Sequence, residues 1–188
     1  TNSKLEKYKL SEINLKKRKI KLLQEANYYT EEIRRVIKDN YGFDKLYAEG
    51  LSIKSALDVS YQLYALDALR SGIESYDRRH GWRGPILNTK VQKNWQEKLK
   101  ETKIDSSLKW NFAEIKNVKD SEIIFQIIDK KQQGTISANN LKWAINKTIY
   151  DSFKINDVIY VYKKGNGKWQ LKQYPKVNGA IVVIDPFS

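Results

Sequence analysis

Apolar and polar positions along the chain follow two different periods, helical in the first half and strand-like in the second. Ile33, Val36, Ile37 and Tyr41 recur at helix spacing behind Thr30, which predicts a helix capped by Thr30, with Glu31 and Glu32 at its positive end and Gly42 as its stop. Leu51, Ile53 and Ser55 alternate with polar residues, as a short strand over 51–57 would, and Asp58 then stands as an N-cap. The helix behind it carries the clearest periodicity: Tyr61, Tyr64, Ala65, Ala68, Leu69, Gly72, Ile73 and Tyr76 form one predicted apolar face. It runs into residues 76–85, where two Gly and one Pro stop regular structure and three Arg surround one Trp.

After a short helical stretch over 91–100, alternation of period two takes over. Strands are predicted around Trp110, Phe112 and Ile115 and over 123–128, 134–138, 157–163, 169–174 and 180–184, with Lys164, Gly165, Asn166 and Gly167 as a hairpin turn. So few strands without covering helices would leave long unpaired edges, which closure removes. The expected fold is therefore α+β, a helical or extended linker followed by a small five-stranded OB-like β-barrel. Trp110, Trp143 and Trp169 fit either its core or a binding platform.

Composition narrows the chemistry. The 188 residues include one His, no Cys and no Met. His80 is the sole His, so metal binding lacks its ligands and a Ser-His-Asp triad would have to use His80, next to Gly81 in a tight turn, where it reads instead as an Arg-flanked structural His; no Gly-rich phosphate loop is present. The short patterns Ser106 to Lys109 and Ser137 to Asn139 match pieces of a penicillin-reactive site, but no Lys-Thr/Ser-Gly tripeptide accompanies them, and they read as coincidence. No catalytic, cofactor or metal residues are predicted. The absence of Cys leaves the compartment open, and no apolar run approaches the ~18 residues of a membrane span. Starting at Thr1 without any Met, the chain reads as a fragment of a longer protein.

A net charge of +13, from 35 Lys and Arg against 22 Asp and Glu, predicts an anionic partner. The densest cluster, Lys16, Lys17, Arg18 and Lys19, is the candidate contact for an anionic surface, or else a solvated face.

Residues 50–58, the helix with Gln62, and the decapeptide 76–85 together resemble the interdomain linker of class A, bifunctional penicillin-binding proteins. Ala26, Asn27, Tyr28 and Tyr29 with Glu32 and Arg34, then Tyr41 and Gly42, are similar to the segment preceding that linker. Trp143 and Ala144, then Asp157, Val158, Ile159 and Val161, then Gln173, Pro175 and Val177, resemble the OB-like insert of the 1a type. Residues 179–186 look like the first strand of a transpeptidase domain. Ser55 and Ala56 stand where the family tends to have two Thr, and Asn156 where Gly is usual.

The resemblance implies four segments: 1–25 as the basic, extended tail of a glycosyltransferase domain, 26–88 as the linker, 89–176 as the OB-like domain, and 177–188 as the transpeptidase strand. It implies a membrane-anchored parent on the periplasmic side of the bacterial inner membrane that polymerises and cross-links peptidoglycan, with both active sites outside this segment. The implied partners are the parent's own glycosyltransferase and transpeptidase domains, and an outer-membrane lipoprotein activator or the peptidoglycan glycan. Tyr76, Asp77, Arg78, Arg79, His80, Trp82 and Arg83 are expected to form a structural clamp, with Trp82 buried and the arginines forking onto carboxylates or carbonyls. The competing reading from charge and fold alone is a basic, OB-like protein that binds single-stranded nucleic acid. That reading accounts for the charge and leaves the decapeptide unexplained.

Overall fold

The computed structural model describes residues 24–102 and 104–187, and the chain divides between Glu49 and Gly50 into two units. The basic cluster at Lys16 to Lys19 lies outside the described residues, as does nearly all of the 1–25 tail.

The first unit holds α1 (Asn27–Tyr41) and α2 (Phe43–Ala48), joined at Gly42, whose φ of 86° lies in the left-handed region. A 3-10 turn (Gln24–Ala26) already steers the backbone into α1, so the helix starts at Asn27 and Thr30 falls inside its first turn instead of capping it. Arg34 ties the two helices: it forks onto Glu31 at 2.7 and 2.8 Å and donates through Nη1 to the Tyr47 hydroxyl at 3.1 Å. Neither helix buries a residue.

The second unit opens with an irregular stretch rather than the strand expected over 51–57. Alternation there is real, but no described residue pairs with it, and a strand without a ladder partner is not stable. Helix α3 (Val59–Arg79) starts where expected, with Asp58 Oδ1 accepting from the Ser60 and Tyr61 backbone amides at 2.8 and 3.0 Å. Its covered face keeps only part of the predicted one. Tyr61 and Tyr64 are 67% and 70% exposed, while Leu66, Leu69, Ile73 and Asp77 face inward. Tyrosines tolerate water through their hydroxyls, so their helical spacing did not fix which side is covered.

The sheet has six strands, not five: β1 (Leu87–Asn88), β2 (Asn111–Lys119), β3 (Glu122–Ile127), β4 (Gln133–Ser137), β5 (Asp157–Lys163) and β6 (Trp169–Lys172). All pairings are antiparallel, in the order β1-β5-β2-β3-β4. Strand β6 shares an edge of β5 with β1: β1 lies opposite Asp157 and Val158, and β6 opposite Tyr160 through Lys163. The expected closed barrel is not formed, because β4 and β6 approach without a hydrogen-bond ladder. The Trp169 indole fills their seam, edge-on to Phe125 with ring centroids 5.4 Å apart.

Ile115, Ile123, Phe125, Ile136, Val161 and Leu171 are among the residues that the sheet contributes to the core. Besides α4 (Trp95–Glu101), which sits close to the predicted stretch, two helices that the periodicity did not reveal, α5 (Ala138–Leu141) and α6 (Ile149–Ser152), join β4 to β5. At four residues each they are too short to show a period, yet they plug the core with Leu141 and Ile149, followed by Phe153. Thr148 and Asp151 form a reciprocal capping box at the start of α6. The hairpin at 164–167 closes as expected, with Lys164 N donating to Lys168 O and Gly167 N to Lys164 O, both at 2.9 Å. Asn156, the departure from Gly noted above, takes a φ of 71°, a left-handed conformation that Asn tolerates better than most residues. Residues 180–184 form no strand, and Val182, Val183 and Ile184 are 69–77% exposed. β-branched residues carry the propensity, but among the described residues nothing pairs with them.

Candidate functional site

The last turn of α3 brings Asp77 to the inner side of the helix, where it is 4% exposed. After the helix, His80 hydrogen-bonds through Nδ1 to Tyr76 O at 3.0 Å, and Gly81 turns the chain at a φ of 86°. The turn returns Arg83 to Asp77: Nη1 donates to Oδ1 at 2.8 Å and Nη2 to Oδ2 at 3.0 Å. The segment after β6 completes the arrangement. Gln173 Nε2 donates to Asp77 Oδ2 at 2.8 Å and to Gly81 O at 3.1 Å, while its Oε1 accepts from Arg83 N at 2.9 Å. Arg83 Nη2 also reaches Tyr174 O at 2.6 Å, and Lys176 N approaches Asp77 Oδ1 at 3.3 Å.

Burial by itself opposes the charge on Asp77, but the bonds from Arg83, Gln173 and the Lys176 amide outweigh it and hold the carboxyl below its ordinary value. The carboxylate is thus the hub of a network joining residues about 100 positions apart in sequence. One turn earlier on α3, Glu74 makes a second tie, receiving Lys172 Nζ from β6 and lying 3.6 Å from Arg78. Lys172 is itself only 8% exposed, with its ammonium over the Trp110 and Tyr162 rings at 5.6 and 5.3 Å. Glu74, Lys172 and Gln173 were not singled out in sequence as parts of this arrangement. A Glu one turn before Asp77, on the same helix face, is the signal that points to the first of them.

The other clamp residues divide. Trp82 packs edge-on to Trp143 and against Phe153, at centroid distances of 5.7 and 5.6 Å, and its indole N–H is buried without a hydrogen-bond partner. Arg78 stacks over Trp143 at 5.1 Å and reaches Leu171 O at 3.5 Å. Arg79 is exposed and lies over the Tyr76 ring, and Tyr76 itself is 44% exposed. Trp110 and Trp169 are buried at 9% exposure, which leaves little of either face for a ligand.

A groove of about 700 Å³ runs beside Trp82, lined by Pro85, Asn88, Trp143, Asp151 and Asp157 among others. Its carboxylates are engaged: Asp151 in the capping box, and Asp157 accepting from Asn88 Nδ2 and Lys154 N, both at 2.8 Å. Among the described residues no group of three His, Cys, Asp or Glu side chains is placed to hold a metal ion. The two penicillin-site look-alikes are separated by topology. β2 and β4 both run antiparallel to β3, so Ser106, ahead of β2, and Ser137, ending β4, fall at opposite ends of the sheet.

The family model described as the penicillin-binding protein OB-like domain matches residues 82–177. Penicillin-binding protein 1A of Rickettsia typhi is 36% identical over 182 residues, covering 95% of this chain and 23% of that protein. Penicillin-binding protein 1A of Haemophilus influenzae is 28% identical over 166 residues, covering 85% of this chain and 19% of that one. The crystal structure of the Haemophilus influenzae protein matches with a TM-score of 0.59 over 93% of this chain and 26% of its own, and at 21% identity it supports the fold alone. The chain thus spans about a fifth of the length of the curated relatives it matches.

Proposed function

Because the chain belongs to the penicillin-binding proteins of the class A, 1a type and carries their OB-like domain, we propose that it is the non-catalytic linker and OB-like segment of a bifunctional peptidoglycan synthase. In this role it spaces a glycosyltransferase from a D,D-transpeptidase and offers a surface to a regulator, such as an outer-membrane lipoprotein, or to the glycan. The parent is anchored in the inner membrane and works on its periplasmic side, with 26–88 as linker and 89–176 as OB-like domain. Among the described residues no helix is long and apolar enough to cross a membrane.

The observation that carries this reading is the Asp77 network. It fastens the end of α3 to the segment after β6, so that a linker helix and the sheet move together. A spacer needs such a joint, since a helix ending in a free loop transmits no geometry between domains. Exposed apolar side chains in the irregular 181–187 segment also suit packing against further structure of the parent.

The reading is tested by sequencing the frame on both sides of these residues. Ser-x-x-Lys, Ser-x-Asn and Lys-Thr-Gly after Ser188, with a membrane span upstream of Thr1, are the expected result. A stop codon after Ser188 together with the absence of any upstream span would contradict it and favour the nucleic-acid reading.

A further inference from the structure

Strands β3 and β5 are both antiparallel to β2, so they point the same way and their following turns hang from one end of the sheet. Those turns, 128–132 and 164–168, with the last residue of β5 ahead of the second, place Lys130, Lys131, Lys163, Lys164 and Lys168 at that end against a single acid, Asp129. The two turns are neighbours across the open seam: a Cβ on Gly134, just past the first turn, would lie 2.8 Å from Trp169 Nε1, just past the second. Lys109 precedes β2 at the same end. Among the described residues none of these six lysines takes part in an ion pair. Lys130 reaches only the neutral Asn111 Oδ1, at 3.3 Å, and Lys163 lies over the Trp169 ring at 5.5 Å.

We propose that this lysine pole is a contact site for a carboxylate-bearing wall polymer, the peptide-substituted peptidoglycan strand. The inference rests on the proposed function and names the ligand that the OB-like surface takes. The pole contains Lys and no Arg, which suits diffuse recognition of charge density over bidentate reading of one group. Neither turn presents an exposed large apolar or aromatic side chain, and Trp169 is buried. A base-stacking platform, the apolar anchor of an interfacial membrane segment and the apolar centre of a stable protein interface are therefore all missing at these turns. A flexible polyanion approached from solvent requires none of these.

Co-sedimentation of the purified chain with insoluble sacculi tests this. The pole variant carries K130Q, K131Q, K163Q, K164Q and K168Q, and a charge-matched variant carries K116Q, K119Q, K142Q, K147Q and K154Q. Thermal unfolding confirms that both are folded. The unmodified chain and the charge-matched variant should pellet with sacculi at low salt and be released as salt is raised, whereas the pole variant loses roughly tenfold in binding. Sacculi whose carboxyls are blocked as amides should bind neither. Equal retention of both variants, no binding at low salt, or capture by anionic phospholipid vesicles but not by sacculi would overturn the proposal. Such a failure leaves the flanking reading frame unaffected, so it is distinguishable from failure of the synthase reading.

Discussion

Replacing Asp77 with alanine is expected to lower the unfolding free energy of the chain by about 3 kcal/mol, the low end of the range for breaking a buried ion pair because Arg83 stays partly in water. The loss has three parts. Arg83 loses both acceptors of its fork, Gln173 loses the oxygen that fixes its amide, and the Lys176 amide loses its partner. The deficit should also depend on pH. The folded carboxyl titrates below its ordinary value near 3.8, so its stabilisation is complete above that pH and fades as pH falls through the lower folded value. Urea titrations at pH 7 and near pH 2.5 should therefore show a larger gap between the native chain and Asp77→Ala at the first pH than at the second. A gap of the same size at both would mean that the charge of Asp77 contributes nothing to the joint.

The second large effect concerns the seam between β4 and β6. A Cβ added at Gly134 would stand 2.5 Å from Phe125 Cζ and 2.8 Å from Trp169 Nε1, inside any contact a real methyl tolerates. Both aromatic side chains are held in the core, so neither can swing away without opening a cavity. Gly134→Ala should cost about 2 kcal/mol through overpacking. Gly165→Ala, in the β5 to β6 turn with nothing within 4 Å of its Cβ, is the matched control and should change stability by less than about 0.5 kcal/mol. Similar melting temperatures for the two variants would contradict the packing described for the seam.

Local chemistry was legible where a residue acts on its immediate neighbours. Asp58 announces the start of α3, and the Gly-Asn-Gly turn announces the last hairpin, because caps and turns are settled within a few residues. The decapeptide at 76–85 stood out, and its Asp77 and Arg83 do meet, but their partners Gln173 and Lys176 lie far along the chain and no period connects them. What the sequence could not carry is long-range. Alternation at 51–57 and at 180–184 states a preference for strand, while the ladder depends on a partner that these residues do not find among those described. The covered face of α3 is set by what Leu69 and Ile73 pack against, the backbone at Gly179, and not by the tyrosines whose spacing was the stronger signal. Closure is likewise a long-range matter: β4 and β6 approach without a ladder, and the Trp169 indole lies at their seam beside Gly134 and Phe125.

Whether any serine of this segment reacts is read by labelling with a fluorescent penicillin followed by peptide mapping, on the isolated chain and on the full-length parent. The expected result is a labelled serine in the parent beyond residue 188 and no label on the isolated chain under the same conditions. Stoichiometric acylation of any serine within the 188 residues, Ser106 and Ser137 included, would contradict it.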